Sequence, residues 1–378
     1  MSHKLCLGLD TNELLTINNL LEDISISQIQ PDYFKLNPSF LYMDSNSISI
    51  VANWLNKFNF NWIFDAKYGD VYHTNQKLAD YVFSELNASA VTLNPYSGVE
   101  ALKPFFFYTN KKCFILLKTT SNSPNQKYFW KDIVDSTLHY NNVHYIAPAT
   151  DVAFLQELLQ YLPKDKLVLS PGIGAQKGNI SLPSSRMIYS ASRSISNASN
   201  PLDMISHYKK HASNIFWSHY LKDFVKSGSF LLSSGKESNT YIDMKSLYSN
   251  KEKFSFVLKS ILSILNPDSN TTFVGLASAG IPLATALAQK SSANFAYIRS
   301  TQKEYGTKNI LEGSLPSEGR IVLVDDVYTT GKSINQATLA LLNLGYKNIQ
   351  PFVICSRDPY LHSSNCLFKV IHNETILD

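Results

Sequence analysis

Cysteine is scarce in this chain. Four stand in 378 residues, Cys6, Cys113, Cys355 and Cys366, and no two have CxxC spacing. A disulfide framework and a thiolate zinc site are therefore not expected; the pattern suits reduced thiols in a cytoplasmic protein. Long apolar runs are missing too. None approaches the roughly 20 residues that span a bilayer, and the opening MSHKLCLGLD is too short an apolar run for a signal peptide. The closing NETILD is no peroxisomal or ER address. Charge of one sign is not in excess: Lys and Arg total 34, Asp and Glu 30, for a net +4. With its basic residues dispersed, the chain carries no nucleic-acid footprint, although mild positive charge suits small anionic substrates. No internal repeat or low-complexity tract is present.

What the chain does have is a hydrophobic content of 44% and a length that calls for two domains. The first half alternates short apolar runs with amphipathic stretches. Strands are expected at Lys4–Leu9, Tyr33–Leu36, Trp62–Ala66, Ala90–Asn94, Cys113–Lys118, Tyr145–Pro148, Leu167–Ser170 and Met187–Ser190. Helices such as Thr74–Leu86 and Ala149–Leu162 lie between them, and the seventh connection is mostly loop. Such a βα repeat predicts a (β/α)8 TIM barrel with its chemistry at the C-terminal strand ends. Ser194–Ser213 is rich in Ser and Asn and breaks the rhythm, which places domains at 1–208 and 209–378. The second half is expected to open with a helix at Asn214–Ser227 and a hairpin around FLLSSGKESNTYIDM, then form an open, largely parallel α/β sheet.

Its most informative segment is IVLVDDVYTTGKS, Ile321 to Ser333. An apolar strand delivers Asp325 and Asp326, whose carboxylates can accept bonds from a ribose diol. Thr329, Thr330, Gly331, Lys332 and Ser333 follow, with a helical pattern from Ile334. Backbone donors there and the helix dipole can hold a 5′-phosphate. In the first half, IFDAKYGDVYHT places Asp65 and Lys67 two apart, on one side of a strand, at the barrel mouth. Asp70 and Thr74 follow, and Lys35 ends another strand.

Two resemblances attach to these strings. LGLD, FKLNPSF, FDAKYGDV, VTLNPYSGVEALKPF, LKTTSNSP, LSPGIGAQKGN and SASRSI, in this order, resemble the orotidine 5′-monophosphate (OMP) decarboxylases over Lys4 to Ser196. That implies a cofactor-free array of Lys35, Asp65, Lys67 and Asp70. Asp65 would crowd the substrate carboxylate, and Lys67 would stabilise and protonate the carbanion. Asp10 and Lys35 would hold ribose hydroxyls and Ser121 the pyrimidine edge. Gly172, Gly174, Gln176 and Arg193 would hold phosphate. Asp70 and Thr74 would complete the site of a second copy, which implies a homodimer or higher homo-oligomer.

The phosphate loop, FLLSSGKESNTYIDM and YIRSTQKEYGTKNILEG resemble orotate phosphoribosyltransferase, a type I phosphoribosyltransferase, over residues 212–360. That implies orotate and 5-phosphoribosyl 1-pyrophosphate (PRPP) as substrates, with Mg2+ brought through PRPP. Arg299 and the loop residue Lys303 would neutralise pyrophosphate, with Lys303 catalytic. Thr329 and Arg357 would bind orotate. The stretch Tyr297–Gly313 is expected to be a mobile closing loop. Ser233, Ala279 and Ser300 stand where lysines occur in that family. Together the resemblances imply a bifunctional enzyme of UMP synthesis with the decarboxylase first. The alternative is an active decarboxylase joined to an impaired PRPP-binding or oligomerisation domain. No nucleic acid or membrane partner is expected.

Overall fold

The computed structural model describes residues 4–119, 129–173, 180, 182, 184–231, 237–299, 310–316, 319–358, 361–362 and 365–370; the side chains of 231, 237 and 238 are left aside. The chain divides into two compact units at Phe216/Trp217.

In the first unit, β1 (Lys4–Gly8), β2 (Tyr33–Leu36), β3 (Trp62–Tyr68), β4 (Ala90–Leu93), β5 (Lys112–Leu116), β6 (Val143–Ile146), β7 (Val168–Pro171) and β8 (Met187–Ala191) close a parallel barrel. Between the strands run α1 (Leu14–Ile26), α2 (Ser45–Lys57), α3 (Tyr72–Asp80), α4 (Val99–Phe106), α5 (Trp130–Thr137) and α6 (Val152–Tyr161). The strand runs expected from the sequence are all present, with ends moved by a residue or two. The period-two alternation sorts their side chains. Cys6, Tyr33, Ile63, Ala90, Phe114, Ile146, Leu169 and Ile188 fill the barrel interior. Their neighbours Leu5, Phe34, Phe64 and Val91 pack outward under the helices. One layer higher on the same inward face stand Lys35 and Asp65, so alternation delivers the polar array to the mouth.

His144 is a polar member of the interior. It is 5% exposed and packs on Phe114 at 5.5 Å between ring centroids. Its Nδ1 accepts the Leu167 N–H at 3.3 Å. Burial, helped by Lys166 and Lys112, pushes its pKa down to about 3. The unfolded chain binds this proton near the ordinary value and the folded chain does not. Stability is therefore lost as pH falls from about 6.5 towards 3, at up to about 1.4 kcal/mol per pH unit. Urea unfolding of the barrel from pH 7 to 4 should have a shallower pH slope in His144→Gln than in the parent.

After α7 (Arg193–Ser196), the stretch expected as a linker is helix α8 (Pro201–Tyr220). Asn200 accepts the N–H groups of Leu202 and Asp203, Pro201 opens the helix, and Ile205, Ala212 and Phe216 are buried. The helix expected at Asn214–Ser227 thus ends early, and Val225 already belongs to a strand.

The second unit begins with the antiparallel pair β9 (Val225–Leu231) and β10 (Glu237–Ile242). Then come α9 (Lys251–Leu265), β11 (Thr271–Leu276), α10 (Gly280–Ser291), β12 (Asn294–Ile298), β13 (Leu311–Glu312), β14 (Arg320–Tyr328), α11 (Lys332–Asn343), β15 (Ile349–Ser356) and β16 (Cys366–Lys369). The sheet order is β13-β12-β11-β14-β15-β16, parallel except for β13. The expected closing loop begins as strand, and its residues 300–309 lie outside the described residues. Tyr297 and Ile298 lie in β12 and pair with Glu312 and Leu311. All four cysteines are buried thiols.

Candidate active sites

At the C-terminal end of the barrel, a cavity of about 250 Å3 is lined by Asp10, Lys35, Asp65, Lys67, Gly172 and Arg193, all expected from sequence. Lys118, Ser190 and Ser192 also line it. Both serines precede Arg193 in SASRS, three and one residues before it, and that string was the signal for them. Asp70 and Thr74 are exposed and outside this lining. Ser121, Gly174 and Gln176 lie outside the described residues.

Asp65 is the hub of the array. It is 6% exposed and accepts from Lys35 Nζ at 2.5 Å, Lys67 Nζ at 2.7 Å and Thr92 Oγ1 at 2.9 Å. Burial opposes its charge, but Lys35 and Lys67 outweigh this and hold the carboxyl far below the usual carboxylate range. Burial likewise opposes the charge on Lys35, yet Asp65 and Asp10 raise its pKa. Both groups stay ionised at neutral pH. Asp10 Oδ1 is buried and has no hydrogen-bond partner among the described residues. A sugar hydroxyl donating there would satisfy it. Lys118 is ion-paired with Asp151, which also accepts the Phe154 N–H at the start of α6.

Local backbone explains how β3 presents two charges. β3 advances from Phe64 to Tyr68 while β4 advances only from Val91 to Leu93, so β3 bulges between them. Lys67 sits in that bulge with φ of 51°, left-handed for a residue that is not glycine. After the bulge, Asn75 donates to the carbonyls of Asp70 and Ala101 at 2.6 and 2.7 Å, tying the Asp70 turn to α4.

In the second unit, Asp325 and Asp326 lie within β14, which runs on to Tyr328. Asp325 Oδ1 accepts the Asp326 N–H at 2.9 Å, and Asp326 Oδ1 accepts that of Val327 at 2.8 Å. Burial, then Asp326, lifts Asp325 to about 7, and burial also raises Asp326; Lys245 counters both. The pair is short of positive charge. Tyr248 stands beside it and donates to the Ala279 carbonyl at 2.6 Å; burial and the two aspartates raise its pKa.

Thr329 and Thr330 are exposed and lead to Gly331 at φ of 74°, where a Cβ would also meet the Tyr328 ring. α11 starts at Lys332, two residues before the expected position, and no side chain caps it. Its first N–H groups, with Lys332 and Ser333 exposed beside them, are open to an anion. Arg357 donates to the Thr240 carbonyl at 2.5 Å, and its N–H donates to Tyr328 O at 2.8 Å. That ties β10 to the strand ends. Arg299 is bonded to Glu312 at 2.8 Å, which partly neutralises the cation expected to face pyrophosphate. Lys303 lies outside the described residues, as do Ser233 and Ser300.

Residues 3–205 match the model of the orotidine 5′-phosphate decarboxylase / HUMPS family, and residues 245–374 that of the phosphoribosyl transferase domain. An orotate phosphoribosyltransferase of Pyrococcus abyssi is 36% identical over 140 residues, 35% of this chain and 75% of that one. A Nostoc protein named bifunctional enzyme PyrF/PyrE is 24% identical over 340 residues, 77% of this chain and 71% of that one. The solved structure of Leishmania donovani UMP synthase aligns with a TM-score of 0.50 at 25% identity, covering 98% of this chain and 91% of that one. The chain belongs to the orotidine 5′-phosphate decarboxylase / HUMPS family through its first unit and to the orotate phosphoribosyltransferases through its second, in that order along the sequence.

Proposed function

We propose that the second unit joins orotate to PRPP, giving OMP and pyrophosphate, and that the first decarboxylates OMP to UMP. The observation that carries this reading is the Lys35–Asp65–Lys67 array, at 2.5 and 2.7 Å, in the same cavity as Arg193 and Gly172. Arg193 and the backbone at Gly172 bind the 5′-phosphate, while Asp10 and Lys35 take ribose hydroxyls. The substrate carboxylate lies against Asp65. As the C6–carboxylate bond breaks, CO2 leaves and the electron pair stays on C6. The Lys67 ammonium stabilises that pair and transfers a proton to C6; solvent then reprotonates Lys67. The charge that leaves is the one Asp65 repels, so the array binds the transition state better than the ground state.

In the transferase unit, Asp325 and Asp326 accept from the ribose diol and the N-terminus of α11 binds the 5′-phosphate. Lys303 approaches the leaving pyrophosphate, and Thr329 and Arg357 bind orotate. The carboxylate pair, short of positive charge, suits a Mg2+-loaded sugar pyrophosphate. Mg2+ would enter bound to PRPP, since this hard cation is commonly held by substrate phosphates and one or two carboxylates. Mg2+, when bound, neutralises the leaving group.

An impaired transferase is the second reading. It is favoured by the Arg299–Glu312 pair and by Ser233, Ala279 and Ser300. The experiment is to give purified protein orotate, PRPP and Mg2+, and separately OMP, and to follow pyrophosphate and UMP. UMP from both supports the bifunctional reading; UMP from OMP alone supports the second.

A homodimer completes the barrel site. Asp70 and Thr74 are exposed and outside the lining of their own cavity, while Tyr42, Met43, Val71 and Tyr96 on the loops after β2, β3 and β4 are 60–93% exposed. Mixing inactive Lys67→Ala with inactive Asp70→Asn should restore decarboxylation, because a mixed dimer holds one intact site. No restoration after subunit exchange would place Asp70 in its own subunit's site.

No helix of the described residues is long and apolar enough to cross a membrane. We place the enzyme in the cytoplasm, where its buried thiols stay reduced.

A further inference from the structure

Thr92 is fully buried on β4, directly below the array. Its Oγ1 accepts the Lys67 N–H at 3.0 Å and donates to Asp65 Oδ1 at 2.9 Å. The direction is fixed, because an ionised carboxylate can only accept. That N–H is the one the β3 bulge takes off the strand ladder. One hydroxyl thus stands in for a missing ladder acceptor and orients the carboxylate that both lysines share. The left-handed backbone at Lys67 has this bond as an anchor, and such a conformation persists where its surroundings over-determine it. A hydroxyl that joins a carboxylate to the backbone of the proton donor couples the positions of the two reacting charges.

We infer that Thr92 is a positioning residue of the decarboxylation, holding the Lys67 ammonium and the Asp65 carboxylate in register with the reacting carbon. The inference rests on the decarboxylase reading of this cavity. Thr92 does not line the cavity, so its loss should act on turnover and leave the grip on ribose and phosphate intact. Valine matches threonine in shape and removes both bonds. Serine keeps the hydroxyl.

The test is steady-state decarboxylation of OMP by the full chain as parent, Thr92→Val, Thr92→Ser and Thr92→Ala, with UMP binding measured on each. Thr92→Val should lose roughly 10- to 100-fold in kcat, the range of a charge-assisted bond. Its KM and UMP affinity should stay within about threefold, and Thr92→Ser should recover most of kcat. If Thr92→Val does not fold, Thr92→Ala against Thr92→Ser makes the same comparison. A kcat for Thr92→Val or Thr92→Ala equal to that of Thr92→Ser would overturn the inference. So would an equal loss of UMP affinity, which marks general damage. A parent that does not decarboxylate OMP would remove the functional reading and this inference with it; an active parent with an indifferent Thr92 removes the inference alone.

Discussion

Lys67→Ala should lower decarboxylation of OMP by at least about 10^4-fold while leaving formation of OMP from orotate unchanged. Positioned proton donors contribute about 10²–10⁴, and a preorganised charge at the developing anion about 10²–10³. In the proposed mechanism Lys67 supplies both. The loss is chemical and not a failure to fold. Its side chain is 41% exposed, so the pair with Asp65 adds little stability. Asp65 keeps Lys35 and Thr92 as donors. Lys35→Ala is a different experiment, because Lys35 is 10% exposed and its removal strands a buried carboxylate. It should destabilise the barrel by about 3–5 kcal/mol as well as stop turnover. Thermal unfolding of the two variants beside their rates separates these cases. A Lys67→Ala enzyme within tenfold of the parent would leave proton delivery to another group.

The second large effect is in the transferase unit, where function and stability should move in opposite directions. Asp325→Asn should reduce pyrophosphate release by about 10²–10³-fold, through lost charge-assisted bonds to the ribose and weakened attraction for the Mg2+-loaded substrate. It should also make the unit more stable at pH 8. The Asp325 carboxyl is lifted to about 7, chiefly by burial and then by Asp326. Between the ordinary carboxyl value and 7 the folded chain holds the extra proton. Stability therefore falls as pH rises through that window and is lowest above it. Asparagine removes the buried charge. The transferase midpoint should rise by several degrees at pH 8 and little at pH 5, given about 2–4 °C per kcal/mol in a domain of this size. A midpoint that falls at pH 8 would mean that Asp325 is compensated in the free protein, with Lys245 as the first suspect.

Much of this was legible because the chemistry sits where local pattern is strongest. β2 and β3 are short apolar runs with charged groups towards their C-terminal ends, so Lys35, Asp65 and Lys67 could be placed at the mouth by alternation alone. The Ile321–Ser333 segment carried its strand, acid pair and helix start in one contiguous string. What could not be read depends on partners distant in sequence. The bulge at Lys67 requires Thr92, twenty-five residues on, to take its N–H. Arg299 meets Glu312 only because β13 returns antiparallel to β12. Helix α8 was hidden by its Ser and Asn content. Its cap at Asn200 and its spaced apolar positions outweigh the low helix propensity of those residues.

The most direct test of the central claim, that one chain carries both reactions, uses orotate labelled in its carboxyl carbon. Parent protein with PRPP and Mg2+ should release the label as CO2 and form UMP in equal amounts. Under the same conditions Lys67→Ala should release no label and accumulate labelled OMP. Label left in orotate, from a parent that still decarboxylates added OMP, would contradict the account and leave the second unit without its proposed chemistry.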